Sequence, residues 1–490
     1  MTKFNNKTLL AAAIAVSLTM AGSASATNGY FSHAYSQKEA GLAGAGVAKV
    51  KDIDALAGAT NPANMVFAGD RWDLGINLFN PDRTYESKGN PALPSGFAPI
   101  GVIPSCSAPG QSACQLPFSL GPDRIKSDNQ LFPIPSFGWN KMLTDRSSFG
   151  VMVYGNGGMN TEYQGGTANV FNPGTGTIVT APGLFGGGTT GVDLMQLFVV
   201  PTYSMKVGEN SSIGFGVIGA FQRFKATGLR NFGGVTLDPN HLTDQVFDPA
   251  TGEVLRRNGY ATSTGFGFKL GFNSEIQDGL RLAGSYQSTI KMSEFDEYRG
   301  LFAENGDFDI PETWTVGISA DVGTKGVFVL DFQRIKYNDV KSIGNGIDPL
   351  TSGQCLDALN SVLFGGPAEA SGSGCGGGSN GFGFGWNDMS IVKLGYEWQQ
   401  NDVWTFRVGY SVTSQPIDSS EVIFNILAPA VIEDHFTAGF TKELSDKSEI
   451  TMSFMYGKGD KVSGQNPFDP GQTLSIEMDQ YQLGFTYSRR

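Results

Sequence analysis

The chain is 490 residues long, carries a formal charge of −12 and is only 16% charged. Glycine occupies 67 positions, phenylalanine 35, and aromatic residues make up 11%, a composition too aromatic and too weakly charged for a disordered chain. Acidic residues outnumber basic ones 46 to 34 with no basic block, which excludes a nucleic-acid-binding protein.

Lys3 and Lys7 precede an apolar run from Leu9 to Met20, and Ala24-Ser25-Ala26 follows as a small-residue cleavage site. The pattern predicts a secretory signal peptide over residues 1–26 and a mature chain starting at Thr27. Losing the two lysines takes the charge to −14. No cysteine follows the site, which argues against a lipid anchor, and no later run of about 18 apolar residues offers a transmembrane helix. Residues 27–68 do not alternate. They hold the small-residue cluster Gly41-Leu42-Ala43-Gly44-Ala45-Gly46, then Asp54 to Ala57, then Asn61-Pro62-Ala63-Asn64-Met65. No strand precedes the glycine cluster, so it is no dinucleotide loop. Phe31, Leu42, Val47, Leu56 and Met65 are too apolar for a solvated tail, and a compact plug of short helices and turns is expected.

From Trp72 onward the sequence alternates with period two. Phe266, Phe268, Leu270 and Phe272 interleave with Gly267, Lys269 and Gly271. The same rhythm runs through Val392 to Trp398, Trp404 to Tyr410, Ile450 to Tyr456 and Tyr481 to Tyr487, one face apolar and the other small or polar. A soluble sandwich would alternate too, so the connections decide. Six are short and polar, around 144–147, 208–211, 277–279, 323–326, 400–402 and 445–448. Seven long ones fall between them, near 87–130, 158–193, 227–258, 294–311, 338–387, 416–434 and 461–473. Strict alternation of short and long joins fourteen strands, as in an outer-membrane barrel with periplasmic turns and extracellular loops. The predicted fold is all-β: a 14-stranded antiparallel transmembrane barrel over residues 69–490 around a plug over 27–68. Such a barrel has a lumen too wide for its own side chains to fill. Its surroundings would be outer-membrane lipid and lipopolysaccharide of a Gram-negative cell, and a monomer is expected.

Cys106 and Cys114 share one Pro/Ser-rich stretch, and Cys355 and Cys375 one Gly/Ser-rich stretch. Two local disulfides are the simplest pairing of an exported chain, although four cysteines allow three connectivities. The spacings do not suit zinc, and no cofactor is expected.

Several segments resemble the FadL/TodX outer-membrane transporters of long-chain fatty acids and other hydrophobic compounds. They are Thr27-Asn28-Gly29-Tyr30-Phe31, Asn61-Pro62-Ala63, Leu131-Phe132-Pro133-Ile134-Pro135-Ser136-Phe137-Gly138, Tyr154-Gly155-Asn156-Gly157-Gly158-Met159-Asn160 and Phe424-Asn425-Ile426-Leu427-Ala428-Pro429. The resemblance implies a hatch at the N-terminus, ligand near Tyr30 and Phe31, and sideways release into the bilayer through a gap at a kinked third strand. The ending Ser488-Arg489-Arg490 departs from the aromatic terminus usual in barrels, leaving Tyr487 to serve instead.

A wet channel suits a hydrophobic ligand poorly, since each CH₂ carried into water is unfavourable by about 0.8 kcal/mol. A chain of apolar sites is expected instead, beginning at Leu301, Phe302, Phe424, Ile426, Leu427 and Val431 in the loops. Gly155, Asn156, Gly157 and Gly158 are poor strand formers and mark either a bend, the expected exit, or a plain strand end running into a glycine-rich extracellular loop. Asn61-Pro62-Ala63 would fix the far end of the plug. Lys269, Lys393 and Arg407 fall in the inward phase and could meet a ligand carboxylate or pair with Glu397 or Asp331. A general porin would show a charged constriction rather than an inward phase of Gly, Ser and Thr. Of the three histidines, only Glu433-Asp434-His435 suggests a barrel hydrolase, and polar anchoring of a strand start explains it better. The expected function is passive uptake of long-chain fatty acids or, alternatively, of aromatic hydrocarbons or alkanes, without enzymatic activity.

Overall fold

The computed structural model describes residues 28–89, 118–172, 177–248, 253–352, 355 and 372–490. The expected signal peptide and the Cys106 and Cys114 pair lie outside them. Fourteen long strands form the wall: β1 Arg71–Lys88, β2 Phe132–Thr144, β3 Ser147–Tyr163, β4 Thr190–Val207, β5 Ser211–Thr227, β6 Ala261–Gln277 and β7 Leu280–Gln287. The second half is β8 Thr313–Val322, β9 Gly326–Ile335, β10 Met389–Gln399, β11 Trp404–Thr413, β12 Ile432–Ser445, β13 Ser448–Gly459 and β14 Asp469–Arg489. Each pairs antiparallel with its sequence neighbour. The ring closes where β1 pairs with β14 from Trp72↔Arg489 to Lys88↔Thr473. Most strands exceed the 9–11 residues that cross a bilayer, and their extracellular ends continue into the loops.

The alternating phase points as the sequence implies. Phe266, Phe268, Leu270 and Phe272 are exposed on the outer face while Lys269 is buried inside. Aromatic rings collect near the short-turn end, with Trp72 against Tyr487, Trp404 against Phe440 and Trp398 against Phe406. Tyr410 with Phe436 and Tyr456 with Tyr481 mark the opposite rim. These are the girdles of a membrane barrel, and they set its depth in the bilayer. Tyr487 sits in the lower girdle, while Arg490 behind it bonds Glu443 at 2.9 Å and also reaches Glu449.

Residues 28–68 lie inside the ring. Short helices α1 Gln37–Ala40 and α2 Ala57–Thr60 and a 3-10 turn Pro62–Phe67 build this segment. Leu42, Val47, Leu56 and Met65 are fully buried. Wall glycines admit it: a Cβ at Gly214 would overlap the Pro62–Ala63 backbone, and one at Gly409 the Leu42–Ala43 backbone. Glycine here serves close approach of backbone to backbone as well as curvature.

The long connections carry structure of their own. Residues 167–172 and 177–182 form a hairpin, residues 123–126 extend the wall beside β1, and residues 462–466 pair with β14. Cys355 and Cys375 are joined by a disulfide that ties the β9–β10 loop to itself.

Candidate functional site

The wall is interrupted beside β3. The β2–β3 ladder runs from Thr144↔Ser147 only as far as Ser136↔Tyr154, whereas the β1–β2 ladder continues to Phe79↔Phe132. Pro133 and Pro135 explain the asymmetry. Successive strand residues address their hydrogen bonds to alternate neighbours, so two prolines at this spacing withdraw donors from one side only. That side is β3. On its other edge β3 bulges at Asn156, where the register with β4 shifts between Gly155 and Gly157, and then continues to Tyr163. The third strand therefore does not end in a glycine-rich loop at Gly158; it bends and goes on.

The N-terminal segment fills the interruption. Phe31 bridges Gly157, the Gly158 N–H donates to the Tyr30 carbonyl at 2.8 Å, and the Ser32 N–H donates to the Asn156 carbonyl at 2.7 Å. The Tyr337 hydroxyl accepts from the backbone N–H groups of Tyr30 and Phe31 at 3.2 and 3.3 Å. The Tyr30 ring packs on Phe31, Tyr337 and Trp386 with centroids 5.2 to 6.0 Å apart. A Cβ on Gly157 would run into the Tyr30 carbonyl, so glycine is required for this contact.

Above it, the loops enclose a small apolar recess lined by Phe224, Phe232, Leu301, Phe302, Phe382 and Phe424, among others. The sequence reading named Leu301, Phe302, Phe424 and Leu427, which line it. Ile426 and Val431 are buried in the same apolar cluster without lining the recess. Phe224, Phe232, Phe382, Phe384, Tyr337 and Trp386 escaped that reading. The run Phe382-Gly-Phe384-Gly-Trp386 was the signal available, large rings spaced by glycine. One apolar cluster connects Phe382, Phe424 and Leu427 to Tyr30, Phe31 and Met159 beside the interruption.

Below, the plug is held by ions and amides. Arg407 bonds Glu397 through Nε at 2.6 Å and reaches Asp52 of the plug. Lys49 bonds Glu397 at 3.0 Å, Lys38 bonds Glu449 at 2.8 Å, and Arg71 bonds Asp73 at 2.7 Å. Burial alone would raise the Asp52 carboxyl, but Lys38, Arg407 and Lys49 outweigh it and hold it well below the usual carboxylate range. Breaking such a buried pair costs about 3–5 kcal/mol. Asn61 donates to the carbonyls of Val47 and Phe272 at 2.8 and 3.0 Å and accepts from Ala63 N–H at 3.0 Å. Ser204 donates to the Ala63 carbonyl at 3.0 Å.

The inward cations meet the plug. Arg407 is committed to Glu397 and Asp52, Lys269 donates to the Ala59 carbonyl, and Lys393 lies 3.4 Å from the Gly44 carbonyl oxygen. Asp331 accepts from the N–H groups of Gly46 and Val47 at 2.8 and 2.9 Å. Lys269 and Lys393 line a polar recess with His33, Tyr35 and Thr60. His33 stacks on His435 with centroids 4.5 Å apart, and Ser411 lies between their ring nitrogens. Asp434 meets Tyr410 and Glu433 meets Gln415, so this trio does not converge on one reacting centre. No cluster of three metal-binding side chains occurs among the described residues.

A family model described as outer membrane protein transport protein (OMPP1/FadL/TodX) matches residues 17–489. Among solved structures, the Pseudomonas putida toluene transporter TodX is 15% identical, covering 94% of this chain and 99% of its own, with a TM-score of 0.58. A Pseudomonas aeruginosa FadL homologue is 14% identical, covering 94% and 99%, at 0.59. The Ralstonia pickettii toluene transporter TbuX is 15% identical, covering 94% and 98%, at 0.53. At these identities the likeness is one of fold. No curated protein sequence matches the chain.

Proposed function

Because the chain belongs to the OMPP1/FadL/TodX family of outer-membrane transporters of hydrophobic compounds, we propose that it takes up long-chain fatty acids or similar amphiphiles by a route that ends in the bilayer. Ligand is captured in the loop recess, passes to the plug tip, displaces residues 28–32 and leaves through the β2–β3 interruption. Asn61, Pro62 and Ala63 keep the rest of the plug in place while the tip moves. The protein works as a monomer beside lipopolysaccharide and has no enzymatic role.

The observation that carries this reading is the single apolar cluster joining Phe382 and Phe424 to Tyr30 and Phe31 at the interrupted wall. A molecule moving along it trades one apolar surface for another. It avoids the roughly 0.8 kcal/mol per CH₂ of entering water. Aromatic hydrocarbons are the alternative cargo, favoured by a recess built largely of phenylalanine rings and by the toluene transporters among the solved structures.

Uptake of radiolabelled oleate and of toluene by cells lacking their own transporter, with and without this chain, tests the reading. Accelerated uptake of either, lost in Phe424→Asp, is expected. Equal uptake with and without a folded barrel refutes it.

A further inference from the structure

Arg71, Arg281 and Arg407 are buried inside the barrel, and each bonds a carboxylate. Arg83 does not. It projects inward from β1 and is only 4% exposed, yet among the described residues no carboxylate lies in ion-pair range of it. One terminal nitrogen donates to the Asn129 carbonyl, the guanidinium stands 5.6 Å from the centre of the Phe132 ring, and among the described residues Nε has no partner. The Tyr163 hydroxyl, also without a partner among the described residues, and the Asp82 carboxylate, which bonds Lys126 instead, lie within electrostatic reach of the same guanidinium.

Arg83 lines a second, small recess together with Gly29, Phe79, Met159, Asn160, Trp386 and Met478. The rest of the lining is apolar or glycine except for Asn160, whose Oδ1 already accepts from Asn129 at 2.7 Å. The recess sits against the wall interruption: Phe79 is the last β1 residue paired with β2, Met159 belongs to β3 beyond the point where β2 leaves it, and Gly29 is in the plug tip. A buried guanidinium with a spare donor in apolar surroundings is unfavourable unless something completes it. The group that fits is a planar oxyanion, which an arginine edge receives through charge-assisted hydrogen bonds.

We propose that Arg83 anchors the head of an anionic amphiphile, a carboxylate on an apolar chain, whose tail lies along Phe79 and Met159 toward the interruption. This rests on the transport reading above and narrows it. The cation that selects an acid over a neutral hydrocarbon is Arg83, because Lys269, Lys393 and Arg407 already serve the plug.

Purified protein in nanodiscs, titrated with dodecanoate and with dodecanol at pH 8, tests the proposal, since the two probes share a tail and differ in the head. Wild type should prefer dodecanoate by at least about tenfold, the scale of a hydrogen bond to a charged group. Arg83→Met should abolish that preference while leaving dodecanol affinity within about twofold, and Arg83→Lys should restore part of it. Heat-modified gel migration confirms that each variant is folded. Equal affinity of wild type for both probes, or an unchanged preference in Arg83→Met, overturns the proposal and leaves transport standing. Failure of folded wild type to bind either probe, with no uptake in cells, overturns the transport reading as well.

Discussion

Replacing Gly157 with alanine should release the plug tip without disturbing the wall. The new Cβ would overlap the Tyr30 carbonyl and fall 2.8 and 2.9 Å from Tyr30 C and Phe31 Cα, backbone atoms that cannot rotate away. The tip must withdraw, and with it go the Gly158-to-Tyr30 and Ser32-to-Asn156 hydrogen bonds. At about 1 kcal/mol each, their loss shifts the docked-to-displaced ratio by roughly 2 kcal/mol, or about thirtyfold. Single-channel recording in planar bilayers should show a matching rise in the open fraction for small ions. Gly155→Ala is the control: its Cβ meets the Ile134 Cγ2 methyl at 3.0 Å and the Gln196 carbonyl at 3.9 Å but no atom of the plug tip, and should leave conductance near wild type. A folded Gly157→Ala barrel with wild-type conductance would refute the reasoning, because the tip would then be held by something other than the β3 edge.

Asn61→Ala removes two donated bonds and one accepted bond, leaving Asn64 as the remaining side-chain donor to the Val47 carbonyl. About 2–3 kcal/mol of plug anchoring is lost, and small-solute leakage should rise; unchanged conductance would show that the ionic network alone holds the plug. The pH profile of leakage carries a sign that can be worked out. Burial pushes Glu39 of the docked plug up to about 8, with Thr60 donating to it, whereas an exposed glutamate titrates near 4.3. The displaced plug gives up that proton across the interval, so docking weakens as pH rises through it. His33 acts in the opposite sense: burial, with His435 and Lys393 nearby, holds it neutral well below the ordinary imidazole value, and docking weakens as pH falls below about 6.5. The two oppose each other below 6.5. Between 6.5 and about 7 Glu39 dominates, so leakage should climb by less than about tenfold per pH unit, and Glu39→Gln should flatten it. A wild-type profile that is level there, or a Gln variant that still climbs, counts against this account.

The turns made the wall legible. Gln277-Asp278-Gly279 reads as a tight turn because Gly279 can take a φ of 72°, and the alternation beside it assigned Lys269 to the lumen, where it lies. What stood outside the alternation was harder. Arg407 was read as inward, but its partner Asp52 is 355 residues away, and no local period links them. Tyr337 and Trp386 sit in long loops with no repeating phase, so only the fold brings them onto Tyr30. The glycines of β3 allowed a bend or a strand end alike, while the interruption beside it lay in the neighbouring strand, in the two prolines of Phe132-Pro133-Ile134-Pro135. Arg83 passed as one more inward residue of β1; its distinction is the carboxylate it lacks, which a sequence does not display.

The partners of the plug lie far along the chain. Gln37 bonds Ser453, 416 residues away, Ala43 bonds Thr437, 394 away, Tyr30 meets Tyr337, 307 away, and Gly46 meets Asp331, 285 away. Such contacts are slow to form, because the intervening chain must be ordered first. The plug is therefore satisfied only when the strands that carry these partners are in place around it. Folding order and gate strength are thus linked. A lesion anywhere in the late strands should show itself first as a leaky barrel, before it shows as a missing one.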